Sequence, residues 1–190
     1  MIAAGMDDAH RARRDRLRGP IDEEAASRVA VQMRAAAGRD VELRIDSHGG
    51  KLWGAIAVCL EIEEHDRPVT TVVLSEANSA AGLIAMAGDL RYIDRHGVML
   101  VHHPRPRTAE AASDVLNAIV TCSGQPPTVV RGWLDAEQTF IAAEAKRAGI
   151  VDSVIDANGS RPVRLKPVPK RTPAAWLRPL GDFCERLDLR

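Results

Sequence analysis

The sequence lacks an excess of charge of either sign. Lysine and arginine total 26, and aspartate and glutamate also total 26, so the formal net charge at neutral pH is zero. A chain with this balance has no overall field that would attract nucleic acid or an anionic membrane. We therefore expect neither nucleic acid nor a membrane among its partners.

Cysteine is also scarce, with three residues in a chain of 190. Cys59, Cys122 and Cys184 are odd in number and widely spaced, which excludes a fully paired disulfide framework. Their separation also offers no spacing typical of a metal site. The sequence therefore predicts no bound metal, and the free thiols indicate a reducing cytoplasm.

Long apolar runs are missing as well. Residues 1–18 contain no apolar core of signal-peptide length, and no segment approaches the roughly 20 apolar residues that span a bilayer. We therefore expect a soluble, intracellular, cytoplasmic protein.

What the sequence does contain is a regular alternation of helix and strand patterns. Asp22 is placed to cap a helix that ends near Gly38, and residues 41–45 alternate as a strand with one buried face. Similar patterns alternate as far as Ile155, which favours a single α/β domain with mostly parallel strands. We place that domain at residues 19–158.

Both ends of the sequence are basic. We expect residues 1–18 to form a charged extension, either helical or disordered, and residues 159–190 to form a basic, proline-rich tail. The apolar residues 174–177 offer one short docking helix in that tail, although an unstructured end is favoured.

The most informative stretch is residues 69–88. A β-branched run is followed by small and polar residues and then by an apolar segment rich in alanine and glycine, which predicts a strand, a tight turn and a buried helix. Ser79 opens this helix, where backbone N–H groups point outward and would stabilise an oxyanion. Ser79 is therefore a candidate nucleophile, although serine at this position is more commonly an ordinary helix cap.

Other chemistry-bearing residues are expected at the same edge of the sheet. The pair Gly49-Gly50 follows a strand directly and allows the backbone to approach a ligand closely. His102 ends another strand, where its imidazole can take the proton of a serine hydroxyl, and Asp135 or Glu137 could orient that imidazole. Each also has an ordinary interpretation, as a turn, a strand-end histidine or a surface charge.

Taken together, these motifs resemble the Clp protease proteolytic subunit family, serine peptidases of a crotonase-like fold. That family has a Ser-Pro-Gly-Gly-like turn, a Gly-x-Ala-x-Ser nucleophile pattern, a Met-Ile-His-Gln-Pro-like strand end, a Gly-Gln pair and a Glu-Ala-x-x-x-Gly-Leu-x-Asp ending. The resemblance covers about residues 19–155. The corresponding segments are residues 45–50 (IDSHGG), 75–79 (SEANS), 100–104 (LVHHP), 124–125 (GQ) and 144–152 (EAKRAGIVD).

The resemblance implies a serine endopeptidase that cleaves unfolded polypeptides through an acyl-enzyme intermediate. Ser79 would be the nucleophile, His102 the general base and then acid, and Glu137 the orienting carboxylate. The backbone N–H groups of Gly50 and Ala80 would form the oxyanion hole. The resemblance further implies no cofactor in this chain, a homo-oligomeric ring, and a separate ATP-dependent AAA+ unfoldase as a possible partner.

Several residues depart from the family pattern. Ser75 stands in place of a glycine, Asn78 in place of a small residue and His48 in place of a proline. Glu137 stands in place of an aspartate, and His103, in place of a glutamine, is a second candidate for the base. The segment between His102 and Glu137 is shorter than usual in the family. The resemblance therefore supports the fold more strongly than it supports a double ring.

Two alternatives stay open at this point. The substitutions around Ser79 and Glu137 allow a catalytically weak or inactive subunit with a structural role in a ring. A crotonase-type acyl-CoA enzyme would share the fold and the paired oxyanion donors, but the joint presence of Ser79 and His102 argues against it.

Overall fold

The structure, a computed structural model, describes residues 12–156. The described residues form seven strands and six helices. In chain order these are β1 (Arg13–Arg18), α1 (Glu23–Arg34), β2 (Val41–Ser47), α2 (Leu52–Glu64), β3 (Val69–Asn78), α3 (Ala80–Ala87), β4 (Leu90–Asp94), β5 (Val98–Leu100), α4 (Ala109–Ser123), α5 (Pro127–Asp135), β6 (Thr139–Ile141), α6 (Ala142–Arg147) and β7 (Ser153–Ile155).

The strands form one sheet that is almost entirely parallel. Its main order is β1-β2-β3-β4-β7, with every neighbouring pair parallel. The far end of β3 pairs in parallel with β5, and β5 pairs antiparallel with β6. Helices connect most parallel neighbours, as such crossovers require. The predicted α/β architecture with mostly parallel strands and flanking helices is confirmed.

Helix α1 shows how local sequence positions these elements. The Asp22 carboxylate accepts a hydrogen bond from the backbone N–H of Ala25 at 2.8 Å, which is the predicted cap. Ala25, Val29 and Met33, spaced four apart, are buried together on one side of the helix. The cap and the apolar spacing therefore define both the start and the orientation of α1.

The core lies where α1, α2 and α3 pack side by side along the sheet. Helix α3 is enclosed to an unusual degree, because residues 80–86 are all buried. A helix buried on every side needs small residues for close packing, which explains its alanine and glycine content. The largest fully buried side chains are Leu17, Ile21, Met33, Leu43, Ile45, Ile62, Ile84, Met86, Ile93, Met99, Ile119 and Leu134.

The N-terminal segment differs from the prediction. Residues 13–18 were expected to belong to a solvated helical or disordered extension, but they form β1, which pairs in parallel with β2. Asp15 and Leu17 are buried, whereas Arg14, Arg16 and Arg18 are exposed. The dense positive charge therefore concealed a strand with one buried face. Residues 1–11, the predicted tail at 159–190 and its docking helix lie outside the described residues.

Two further sequence predictions concern thiols and membranes. Cys59 and Cys122 are free and buried, and burial raises the pKa of the Cys59 thiol. Cys184 lies outside the described residues. Between residues 12 and 156, no helix has both the length and the apolar character needed to cross a membrane.

Candidate active site

Ser79 lies in a sharp turn between β3 and α3 with an unusual backbone conformation. Its φ is 55° and its ψ is −122°, a region that residues other than glycine rarely occupy. The Ser79 N–H donates to the carbonyl of Leu100 at 2.7 Å, and its own carbonyl accepts from Gly82 N–H at 2.9 Å. Such a conformation costs about 1–3 kcal/mol and persists only where surrounding bonds impose it. A strained serine between a strand and a helix is typical of nucleophile turns.

The Ser79 side chain does not act as an ordinary helix cap. Ser79 occupies the N-cap position of α3, but its hydroxyl makes no capping hydrogen bond. The usual N-cap backbone is extended, which the Ser79 dihedral angles are not. The hydroxyl is therefore not committed to the helix that it precedes.

The glycine turn after β2 lies directly against this serine. A Cβ atom added to Gly49 would lie 2.9 Å from the Ser79 Cβ and 2.5 Å from the carbonyl oxygen of Asn78, so only glycine fits here. The turn is fixed by Ser47, whose hydroxyl accepts from Gly49 N–H at 3.1 Å and donates to the Gly19 carbonyl at 2.6 Å. Gly49 thus permits the close approach that the sequence predicted for this pair.

Gly50 is held from the opposite side by Ile21. A Cβ atom at Gly50 would lie 2.3 Å from the Ile21 carbonyl oxygen, which leaves no room for a side chain. Hydrogen bonds to Ile21 are made by the residues on either side of Gly50. The Ile21 N–H donates to the Gly49 carbonyl at 3.0 Å, and the Lys51 N–H donates to the Ile21 carbonyl at 2.7 Å. The N–H of Gly50 itself, like that of Ala80 in the first turn of α3, has no acceptor within the described part of the chain. Both predicted oxyanion donors are thus available to a ligand.

His102 follows β5 and lines the same cavity as Ser79. Its ring atom Nδ1 lies 2.5 Å from the carbonyl oxygen of His103. A carbonyl oxygen can only accept, so Nδ1 carries the proton and Nε2 keeps its lone pair. The neutral imidazole is therefore in the tautomer that a general base requires.

The position of Glu137 is related to the pairing of β5 with β6. The antiparallel pairing of β5 with β6 extends one step past the strands, where Val101 N–H donates to the carbonyl of Gln138 at 3.0 Å. One further step of the same register would set Glu137 opposite His102. Glu137 has a φ of 48°, so the chain turns there and regular pairing ends.

The carboxylate of Glu137, however, contacts Arg105 rather than the imidazole. Arg105 Nη2 donates to Glu137 Oε1 at 2.5 Å, and both side chains are largely exposed. Among the described residues, the structure therefore pairs the predicted acid with a neighbouring cation, while His102 Nδ1 bonds to the His103 carbonyl. Sequence reasoning missed Arg105, because an ion pair between residues 32 positions apart leaves no local pattern.

The other candidate base and acid form a pair of their own. His103 Nε2 lies 2.7 Å from Asp135 Oδ1, and this hydrogen bond, with smaller contributions from the charges of His103, Arg107 and Arg131, holds the pKa of Asp135 below its usual range. The Nδ1 atom of His103 is buried and has no hydrogen-bond partner among the described residues. His103 is not among the residues that line the cavity beside Ser79.

The departures from the family pattern cluster around the turns. The Asn78 amide donates to the Glu76 carboxylate at 2.5 Å, while its Oδ1 atom is buried without a hydrogen-bond partner in the described chain. Ser75 and His48 are exposed. The polar Asn78 is thus accommodated by a partner on its own strand, beside the nucleophile.

A cavity of about 410 Å³ opens next to Ser79 and His102. Charged side chains, among them Asp22, Lys51 and Arg105, also border it. A concave site with a largely apolar wall and a few polar groups is typical of a ligand-binding pocket. Its apolar wall includes Leu52, Leu83, Met86, Val101, Val115 and Ile119.

Comparison with known protein families agrees with this geometry. A family model described as Clp protease matches residues 4–158, which include β1 and every residue of the candidate site. Members of this family are serine peptidases with an α/β fold, and the sheet and flanking helices described above agree with that fold. The match covers most of the chain, and the protein therefore belongs to the Clp protease family.

Proposed function

We propose that the protein is a serine endopeptidase that cleaves unfolded polypeptides through an acyl-enzyme intermediate. The observation that supports this best is the Ser79 turn, where a strained serine with an uncommitted hydroxyl lies against Gly49 and borders a cavity shared with His102. Strain of this kind is retained where it serves a function, because a purely structural turn would be more stable with glycine.

The proposed reaction begins with attack of Ser79 Oγ on the scissile carbonyl carbon. His102 Nε2 takes the hydroxyl proton and returns it to the leaving amine as the peptide bond breaks. A water molecule, deprotonated in turn by His102, then attacks the acyl carbon, and His102 returns that proton to Ser79 Oγ as the ester bond breaks. The N–H groups of Gly50 and Ala80 donate hydrogen bonds to the oxyanion that forms in each step.

Glu137 completes the proposed triad after its side chain leaves Arg105. The register of β5 and β6, continued by one further step, would set Glu137 opposite His102, which supports a movement of its side chain toward the ring. A carboxylate at Nδ1 would stabilise the imidazolium that forms during attack better than a neutral carbonyl does. No cofactor enters any of these steps.

The cavity and the family suggest the substrate and the assembly. The apolar wall favours a peptide with an apolar side chain next to the cleaved bond. Members of the family form homo-oligomeric rings that pair with AAA+ unfoldases. We propose the same arrangement for this protein, with unfolded polypeptides as its substrates.

A fluorophosphonate probe tests this proposal because it reacts with activated serine nucleophiles. We expect the assembled protein to be labelled, Ser79→Ala to abolish labelling, and His102→Ala to slow it by about 10²- to 10⁴-fold. Gel fluorescence over time measures the rate, and thermal unfolding of each variant confirms that it is folded.

Absence of labelling in a folded, assembled protein would contradict the peptidase. It would instead support the second candidate, an inactive structural subunit of a ring. The observation in favour of that candidate is the contact of the Glu137 carboxylate with Arg105 instead of His102.

A further inference from the structure

The ion pair between Arg105 and Glu137 lies beside the proposed base. We infer that Arg105 is a positioning residue that holds Glu137 away from His102, and that loss of this ion pair completes the Ser-His-acid triad. The inference rests on the proposed function, since it assigns Glu137 to the reaction, and it adds a residue that controls when Glu137 takes part.

The first step of the argument is that Glu137 belongs next to His102. The hydrogen bond from Val101 to Gln138 continues the pairing of β5 with β6, and one further step of that register would set Glu137 opposite His102. Directly opposed residues of an antiparallel pair have Cβ atoms about 4.5–5.5 Å apart. A glutamate side chain at such a position can reach the neighbouring ring.

The second step is that no other carboxylate on this segment is available to His102. Asp135 is held by His103 Nε2 at 2.7 Å and lies 3.7 Å from Arg107. Meanwhile the Nδ1 atom of His102 faces only the carbonyl oxygen of His103. Glu137 is thus the acid that we assign to the imidazole, and Arg105 is the cation that binds it in this structure.

The third step is that the ion pair can be broken readily. The side chains of Arg105 and Glu137 are 72% and 56% exposed, so water screens their attraction. An exposed pair of this kind shifts an equilibrium by about fivefold at most. Arg105 also borders the cavity beside Ser79, so groups that occupy the cavity can compete for its guanidinium.

In the resting arrangement the enzyme works as a serine–histidine pair. The His103 carbonyl sets the tautomer of His102, which permits slow proton transfer without the carboxylate. When Glu137 leaves Arg105, its negative charge faces the ring and favours the imidazolium that forms as Ser79 attacks. Removal of Arg105 should therefore accelerate the reaction rather than impair it.

The test is the rate of Ser79 labelling by a fluorophosphonate probe in the full, assembled chain. We expect Arg105→Gln to label about two- to fivefold faster than the unmodified protein, and Arg105→Lys, which keeps the cation, to give a smaller gain. Arg107→Gln is the matched control, because Arg107 is an exposed arginine of the same loop that lies near Asp135 rather than Glu137. We expect no change in its rate.

The double variant Arg105→Gln/Glu137→Gln shows whether the gain passes through Glu137. We expect Glu137→Gln to lower the labelling rate by a larger factor in the Arg105→Gln background than in the unmodified protein, so that the effects of the two changes are not additive. Arg105 is exposed, and the melting temperature of each variant confirms that folding is retained.

The possible results separate the two proposals. Labelling that depends on Ser79 but is unchanged or slower in Arg105→Gln overturns the role of Arg105 and leaves the peptidase standing. A faster rate that survives in the double variant also overturns it, because the gain would be independent of Glu137. If neither the unmodified protein nor Arg105→Gln is labelled, both proposals fail together.

Discussion

Ser79 combines the chemistry and the strain of the site in one residue. Its positive φ is imposed by hydrogen bonds to Leu100 and from Gly82, and it places the hydroxyl beside the cavity. The sequence identified this serine because it stands between a β-branched run and an alanine-rich helix. The strain itself is invisible in the sequence, since nothing about serine marks a residue with positive φ.

The strain predicts a difference in stability between two inactive variants at this position. Ser79→Gly and Ser79→Ala remove the same hydroxyl, so both should lose labelling. Glycine adopts a φ of 55° without steric cost, and we therefore expect Ser79→Gly to be more stable than Ser79→Ala by about 1 kcal/mol. Urea unfolding measures the difference, and equal stability of the two variants would show that Ser79 is not strained.

At the scale of elements, two short strands explain most of what the sequence could not predict. Asp22 and the apolar spacing of α1 were visible as local patterns and are confirmed. In contrast, β6 has three residues, which are too few to show an alternating hydrophobic pattern. It forms because its backbone pairs with that of β5. Because no local pattern marks β6 or the turn before it, Glu137 could be assigned as the acid only by resemblance.

In the glycine turn after β2, the effect of a Cβ clash on the labelling rate can be separated from the effect of backbone strain. Gly49→Ala would place a Cβ atom 2.5 Å from the Asn78 carbonyl oxygen, so the turn must move away from Ser79. We expect the labelling rate to fall by more than tenfold, because the Gly50 N–H moves with the turn. The matched control is Gly38→Ala, since Gly38 also has a positive φ, of 77°, but no atom lies within 4 Å of its added Cβ.

Gly38→Ala should lose about 1 kcal/mol of stability from backbone strain and keep the full labelling rate. Chemical denaturation and labelling of both variants would check this. Full labelling of Gly49→Ala would show that the turn does not support the oxyanion.

At the scale of the whole molecule, the single sheet brings together residues from distant parts of the chain. The α/β class and the family could be predicted because the motifs follow in a fixed order, and the family match confirms both. The inclusion of β1 in the sheet could not, because four arginines in six residues suggest solvent rather than a strand. Only Asp15 and Leu17 are buried in β1, and two residues are too few to form a recognisable strand pattern.

Assembly is the prediction that belongs to this scale. The family forms homo-oligomeric rings, and large apolar side chains remain exposed on the single chain, notably Val31, Trp53, Val129 and Ile141. Contacts between subunits commonly bury such groups. We expect sedimentation in solution to give a mass several times that of one chain. A mass equal to one chain at micromolar concentration would contradict a ring.

The enclosed position of α3 also limits how this protein can change during evolution. Because residues 81, 82, 84 and 85 are buried and do not border the cavity, these positions tolerate replacement only by groups of similar or smaller volume. A library that randomises this helix should therefore return a narrow range of sizes, whatever activity is selected. The helix that follows Ser79 would then diversify more slowly than the surface around it.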